Sequence, residues 1–171
     1  MSLRKKVFFI LGSGGHTAQV LLLQKDFEDD KYEKYFVIGT EDKLSEKKVR
    51  KLGFNNIYFV DRYKKTEETL FRASIRNILF LQIFKQLFQS ARVVVKMNSD
   101  LVITAGPNLG IFVFIFAKLQ GNFCVFIESW SRRKKLSKSG QLLKYFANQF
   151  YVQWEDMLEV DDSFMYEGRM A

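Results

Sequence analysis

Two short stretches carry the residue types most suited to chemistry. The first is "GSGGH", Gly12, Ser13, Gly14, Gly15 and His16, followed by Thr17; it joins an apolar run to a helix-like segment and holds the chain's one histidine. Glycines let backbone N–H groups approach a ligand, and a helix N-terminus carries about half a positive charge. That combination is an anion cradle. The second is "TAGPNLG", in which Gly106 allows a tight turn, Pro107 suits the first helical position and Asn108 follows. Together they suggest a phosphate or diphosphate site, against the plainer reading that each glycine only permits a turn. A dinucleotide fingerprint begun at Gly12 requires glycine at 17, where Thr17 stands, although Glu41 could mimic the ribose-binding acid. An NAD(P)-binding oxidoreductase domain is therefore the alternative reading.

The segments that must position these residues alternate in period. Lys6–Leu11, Lys34–Gly39, Asn56–Val60, Asp100–Thr104 and Phe123–Ile127 are short apolar runs rich in aromatic and β-branched residues, the pattern of buried parallel strands, and Gln149–Gln153 is a shorter sixth. Helix-like stretches lie between them, at His16–Phe27, Asp42–Leu52, Thr66–Lys96, Asn108–Leu119 and Gly140–Asn148. This alternation predicts an α/β fold, a Rossmann-like doubly wound parallel sheet built from right-handed βαβ units. In the order 3-2-1-4-5 the first and fourth strands are neighbours where the winding reverses, and ligands bind beyond their carboxyl ends. Both glycine turns fall there. No repeat or Pro-rich linker divides the chain, so residues 1–171 are expected to form one domain.

Composition bounds the function. The 171 residues are too few for a complete bi-lobed transferase, and the net charge of +8 favours an anionic partner without choosing among nucleic acid, membrane or phosphorylated substrate. One cysteine, Cys124, and one histidine exclude an internal disulfide and an ordinary zinc site. The apolar run after the basic start is too short for a signal-peptide core, and Leu109–Leu119 is too short to span a bilayer.

"GSGGHTAQVLLL", "DLVITAGPNLG", "FIES" and "LSKSGQLLKYFANQFYVQWEDM" together make the chain resemble the asparagine-linked glycosylation 14 family and its bacterial relatives in capsule polysaccharide assembly. It is also similar in architecture to the N-terminal lobe of the peptidoglycan GlcNAc transferase, a GT-B enzyme. The resemblance implies a single GT-B N-terminal-type lobe, the acceptor-side subunit of a split UDP-GlcNAc transferase. Such a subunit binds a polyprenyl- or dolichyl-diphosphate-linked sugar and recruits a separate UDP-sugar-binding subunit. Alone it is expected to be inactive, and with its partner to work without metal or other cofactor.

On that reading the diphosphate lies on Gly12, Ser13, Gly14, Gly15, Thr17, Gly106, Pro107 and Asn108. An acceptor hydroxyl attacking the anomeric carbon must lose its proton, so a base within reach helps. His16 either takes that proton, as the matching histidine is thought to do in the one-chain relatives, or only caps the helix or binds phosphate. Glu128 matches the family's acidic position at the end of the fifth strand; it binds a sugar hydroxyl, acts as the base, or merely caps the next loop.

A polyprenyl tail holds its sugar in the bilayer, so the lobe is expected to be peripheral on the cytoplasmic face of a membrane, the endoplasmic reticulum in a eukaryote or the inner membrane in a bacterium. Within Leu70–Lys96, Lys85, Arg92 and Lys96 form one basic stripe beside apolar residues. Arg132, Arg133, Lys134 and Lys135 are a second candidate for lipid headgroups or the acceptor diphosphate. Residues 154–171 form the expected partner tail, with Trp154, Met157, Phe164 and Tyr166 as large apolar groups in an acidic context. A basic module binding nucleic acid is a third class; it requires salt-sensitive binding to DNA or RNA, and the resemblance implies no such partner.

Overall fold

A computed structural model describes residues 4–61 and 73–170, with backbone alone for 73–80. The expected helix residues 66–72 lie outside the described residues. Strands β1 (Lys5–Ile10), β2 (Tyr32–Gly39), β3 (Ile57–Val60), β4 (Leu101–Thr104), β5 (Phe123–Ile127), β6 (Gln149–Val152) and β7 (Phe164–Tyr166) form one sheet. Helices α1 (Gly15–Leu23), α2 (Lys43–Lys51), α3 (Ala73–Met97), α4 (Gly110–Leu119) and α5 (Lys138–Leu143) connect them, with short 3-10 turns at Gln24–Asp26 and Glu155–Glu159.

The strand order is β3-β2-β1-β4-β5-β6-β7, and every pairing is parallel. β1 and β4 pair from Val7 opposite Leu101 to Ile10 opposite Thr104, so both glycine turns leave from one edge of the sheet. The expected topology holds, extended by two strands on one side.

Both faces of the central strands are buried, which is why these strands read as unbroken apolar runs. Phe8 and Ile10 point into a core shared with Val93, Val94 and Met97 of α3 and Val113, Phe114 and Ala117 of α4. Val7, Phe9 and Leu11 point the other way, to Val20 and Leu21 of α1 and Val49 of α2. On that second side the helices α1 and α2 pack over the β1 half of the sheet, and the β4–β6 half carries an apolar groove.

Strand β7 was not expected, because its residues follow an acidic stretch and are too few to show a period. It is held by a ring stack running across strands: Phe126 on Phe150 at 4.7 Å and Phe150 on Phe164 at 4.5 Å, each at 21°. Such pairs add to the stability of simple area burial.

Candidate functional site

The site begins with two hydroxyls beneath the first turn. Thr17 Oγ1 donates to the carbonyl of Gly12, and the Ser45 hydroxyl shares its single proton between the same oxygen at 3.1 Å and Asp42 Oδ2 at 2.7 Å. These bonds turn the Gly12 carbonyl into the protein. A peptide unit is planar and trans, so the Ser13 N–H on its opposite edge is directed away from those hydroxyls. Gly14 then takes φ 68° and ψ −126°, a conformation open to glycine, and α1 starts with no side-chain cap and no acidic residue in its first turn.

The second turn packs against the first. A Cβ on Gly12 would lie 2.6 Å from Pro107 Cβ, and one on Gly110 would lie 2.8 Å from Ile10 Cγ2. Only glycine allows that approach. Gly106, at φ 84°, gives its N–H to Thr104 Oγ1 at 3.3 Å, and its carbonyl accepts the Ser139 hydroxyl at 2.7 Å. The loop after β5 is thereby fastened to the loop after β4.

These three loops enclose a cavity of about 280 Å³ beside His16, lined also by Asn108, Ser129, Ser131, Arg132 and Lys138. The His16 ring is half-buried, and its Nδ1 is sealed from water without a hydrogen-bond partner among the described residues. Hydroxyls, an amide, an imidazole and two cations around one small space suit a phosphorylated polar ligand.

Several expected site residues have other work. Thr17 is buried with its hydroxyl on the Gly12 carbonyl, so it supports the cradle from beneath and does not face a diphosphate. It also fills the position where a dinucleotide fingerprint takes its last glycine. Gly106 has both backbone groups engaged, and Pro107, which has no N–H, precedes α4 by a turn in which its carbonyl accepts Gly110 N–H at 2.8 Å. Of that turn Gly106 and exposed Asn108 line the cavity, and Asn108 brings the turn's one polar side chain there.

Glu128 is likewise reassigned. It is 1% exposed; one carboxylate oxygen accepts Ser129 N–H at 2.8 Å, and the other accepts Ser137 N–H at 2.9 Å and Ser137 Oγ at 3.1 Å. A Cβ on Gly140 would sit 2.3 Å from Glu128 Oε2, so the start of α5 rests directly on this carboxylate. The side chain caps a loop. This is the loop-capping alternative, with the carboxylate buried beneath the loop it fastens.

The basic run divides. Arg132 lines the cavity, whereas Arg133 lies 4.9 Å over the Trp154 ring and 3.5 Å from Asp156, and Lys134 and Lys135 are exposed. Of the expected partner residues, Met157 and Phe164 are buried in the chain's own core; the alternation of β7 and the turn before it point them inward. Trp154 and Tyr166 are half-buried. Trp154 gives its Nε1–H to the Trp130 carbonyl at 2.7 Å and carries the Arg169 guanidinium 4.1 Å from its ring centre.

Sequence reasoning missed Trp130 and the hydroxyls of Ser129, Ser131, Ser137 and Ser139. Their signal was present in "ESWSRRKKLSKSG", where serines flank the basic run and an indole stands among them.

Comparison with known proteins finds relatives in sequence and in fold. A family model described as "Oligosaccharide biosynthesis protein Alg14 like" matches residues 7–170. The UDP-N-acetylglucosamine transferase subunit ALG14 of Rattus norvegicus is 28% identical over 181 residues, covering 96% of this chain and 82% of the rat protein. The Schizosaccharomyces pombe subunit of the same name is 29% identical over 166 residues, covering 90% and 78%. Among solved structures, Acinetobacter baumannii MurG superposes with TM-score 0.69 at 15% identity over 98% of this chain, which spans 44% of MurG. A Listeria monocytogenes protein described as a putative UDP-N-acetylglucosamine 2-epimerase gives 0.62 at 13% identity, over 92% of this chain and 40% of its own. These two likenesses establish the shared fold.

Proposed function

The chain belongs to the Alg14-like family of oligosaccharide biosynthesis proteins, and from that premise we propose that it is the acceptor-binding subunit of a two-component, GT-B-type UDP-GlcNAc transferase. The observation that carries this reading is that His16, the Gly106–Asn108 turn and the Ser129–Ser139 loop line one cavity at the carboxyl edge of β1 and β4. An anionic headgroup there meets the first turn of α1, Arg132 and Lys138. Relatives most of whose length this chain spans are named as subunits.

In the transfer step an acceptor hydroxyl oxygen attacks the anomeric carbon of the UDP-sugar, and the bond from that carbon to the UDP oxygen breaks with its electron pair leaving on UDP. The hydroxyl proton passes to the His16 imidazole. His16 is the one imidazole in the chain and lines the cavity. Glu128, Ser137 and Ser139 hold the loop that forms the opposite wall.

The uncovered half of the sheet supports a partner. A groove of about 510 Å³ crosses Leu101, Ile103, Val125, Ile127 and Tyr151, with Arg169 and Met170 of the tail at its mouth. Its walls are overwhelmingly apolar, as the centre of a stable protein interface is. The donor-binding subunit docks there, beside the tail, which revises the expected contact from Met157 and Phe164 to this face.

Membrane contact is supported by α3. Val93, Val94 and Met97 face the core, while Leu81, Phe88 and Val95 recur every seven residues along the outer side and are 68%, 68% and 73% exposed. Exposed Lys85, Arg92 and Lys96 run beside them, Lys85 also pairing with Asp61 at 2.7 Å. No described helix is long and apolar enough to cross a membrane. A helix with apolar and basic stripes side by side lies along an anionic membrane surface, at the cytoplasmic face where the acceptor is extended.

The test is co-expression with the cognate donor-binding subunit, followed by assay of GlcNAc transfer from UDP-GlcNAc to a short-chain polyprenyl-diphosphate sugar. Transfer is expected from the pair and from neither protein alone. Unaided transfer by this chain, or its tight binding of UDP-GlcNAc, overturns the proposal.

A further inference from the structure

Gln19 lies one turn beyond His16 on α1 and is 7% exposed, yet neither its Nε2 nor its Oε1 has a hydrogen-bond partner among the described residues. Buried carboxamides are almost always paired, and leaving both ends bare costs stability that an apolar side chain of similar size would not. The residue lines a second cavity, of about 390 Å³, between α1, Trp130 and the tail residues Arg169 and Met170. Its side chain forms part of that cavity's wall.

The opposite wall is aromatic. Trp130 is 53% exposed although its backbone is pinned by Trp154, and its Nε1 comes 3.6 Å from where a Gly15 side chain would begin. Its neighbours Ser129 and Ser131 line the His16 cavity while Trp130 lines this one. One strip of chain thus borders both spaces, and the adjacent residues Gly15 and His16 at the start of α1 line one each.

We propose that this second cavity is a subsite for a pyranose ring, adjoining the anion site. The flat indole accepts the C–H face of a sugar ring. The carboxamide offers one donor and one acceptor side by side, which a vicinal diol matches with one hydroxyl accepting and the next donating. No charge is needed at that wall; the Arg169 guanidinium, already placed over Trp154, closes the cavity from the tail. The assignment rests on the acceptor-subunit reading and names the part of the acceptor held there.

The experiment titrates the full chain with GlcNAc 1-phosphate and, separately, with inorganic pyrophosphate, following the Trp130 indole N–H and the His16 ring by NMR. The Trp130 signal is identified by its loss in Trp130→Phe. GlcNAc 1-phosphate is expected to shift both signals, and pyrophosphate to shift His16 alone. Gln19→Leu should raise the thermal midpoint while weakening GlcNAc 1-phosphate binding about tenfold, with pyrophosphate affinity unchanged. A silent Trp130 signal together with undiminished sugar-phosphate binding by Gln19→Leu overturns the subsite and leaves the anion site standing. If pyrophosphate fails to move His16, the acceptor-subunit reading itself fails.

Discussion

Glu128 takes both the backbone N–H and the hydroxyl of Ser137, at 2.9 and 3.1 Å, on a single carboxylate oxygen. The pairing closes the loop that carries Trp130, Arg132 and Arg133, and Ser139, two residues on, ties that loop to the Gly106 carbonyl. One buried acid therefore sets the wall shared by both cavities.

Glu128→Ala is expected to lower stability by about 1–3 kcal/mol, because it strands the Ser129 and Ser137 N–H groups away from water. Glu128→Gln is not conservative here. Both carboxylate oxygens face donors, so either orientation of the amide sets an N–H against another N–H. Denaturant unfolding should show a loss for both variants, with faster amide exchange across residues 129–137. An unchanged midpoint in Glu128→Gln removes the loop-fastening role.

Gly12→Ala and Gly14→Ala separate contact from conformation. At Gly12 the new methyl falls 2.6 Å from Pro107 Cβ, so the two turns must part; stability should fall by about 1–3 kcal/mol and pyrophosphate binding should be lost. At Gly14 nothing lies within 4 Å, and the cost is that of φ 68° with ψ −126° in a residue with Cβ, about 1–3 kcal/mol, with Pro107 undisturbed. Calorimetric titration with pyrophosphate compares the two. Equal losses of binding refute the packing argument.

Burial pushes the Cys124 thiol up to about 12, above the ordinary value of about 8.5 that the unfolded chain shows. The folded state therefore holds its proton more tightly than the unfolded state. Its contribution is fully present below about pH 8.5 and is lost as pH rises toward about 12. Wild type should accordingly lose stability between pH 8 and 10 more steeply than Cys124→Ala. The native thiol should also resist Ellman's reagent at neutral pH and react once the chain unfolds.

Strands β1 to β6 were legible because residues such as Phe8 and Phe9 face two different cores, so the run stays apolar whichever way a side chain points. The switch point followed from strand order, and with it the meeting of Gly12 and Pro107. What the one-dimensional pattern did not carry was direction across space. Phe164 and Met157 sit in an acidic tail and read as surface groups, yet Phe164 stacks on Phe150 and Met157 is buried in the same core. The purpose of Glu128 depends on Ser137, nine residues on, a distance set by the loop's path and by no periodicity. Gln19 reads as an ordinary helix residue, and its bare carboxamide appears only once α1 is laid against Trp130.

The outer stripe of α3 should bind anionic vesicles. Leu81→Ser with Phe88→Ser removes apolar area that faces solvent, so sedimentation with phosphatidylserine-containing vesicles should fall while the thermal midpoint stays level or rises. Arg92→Glu and Lys96→Glu should each weaken that binding by at least about fivefold, from about 1 kcal/mol per basic residue near the surface. Added salt should reproduce part of the effect. Vesicle binding that survives all four substitutions places the membrane contact elsewhere.

His16 separates proton transfer from grip. Its ring lines the polar cavity, in the first turn of a helix that has no acidic residue there and no side-chain cap. As the base, it acts only when the hydroxyl attacks, so His16→Ala in the reconstituted pair should lower kcat by about 10²–10⁴-fold with acceptor KM little changed. As a phosphate ligand alone, it contributes equally before and during the reaction, and the loss appears in KM with kcat retained. His16→Asn sharpens the comparison, since the amide donates a hydrogen bond to phosphate but accepts no proton at neutral pH. Its kcat should match that of His16→Ala, with pyrophosphate affinity near wild type. Recovery of kcat in the asparagine variant would reduce the imidazole to a binding group. Co-purification of the two subunits should be intact in both variants, because the groove assigned to the partner is lined by Leu101, Ile103 and Tyr151 and not by His16.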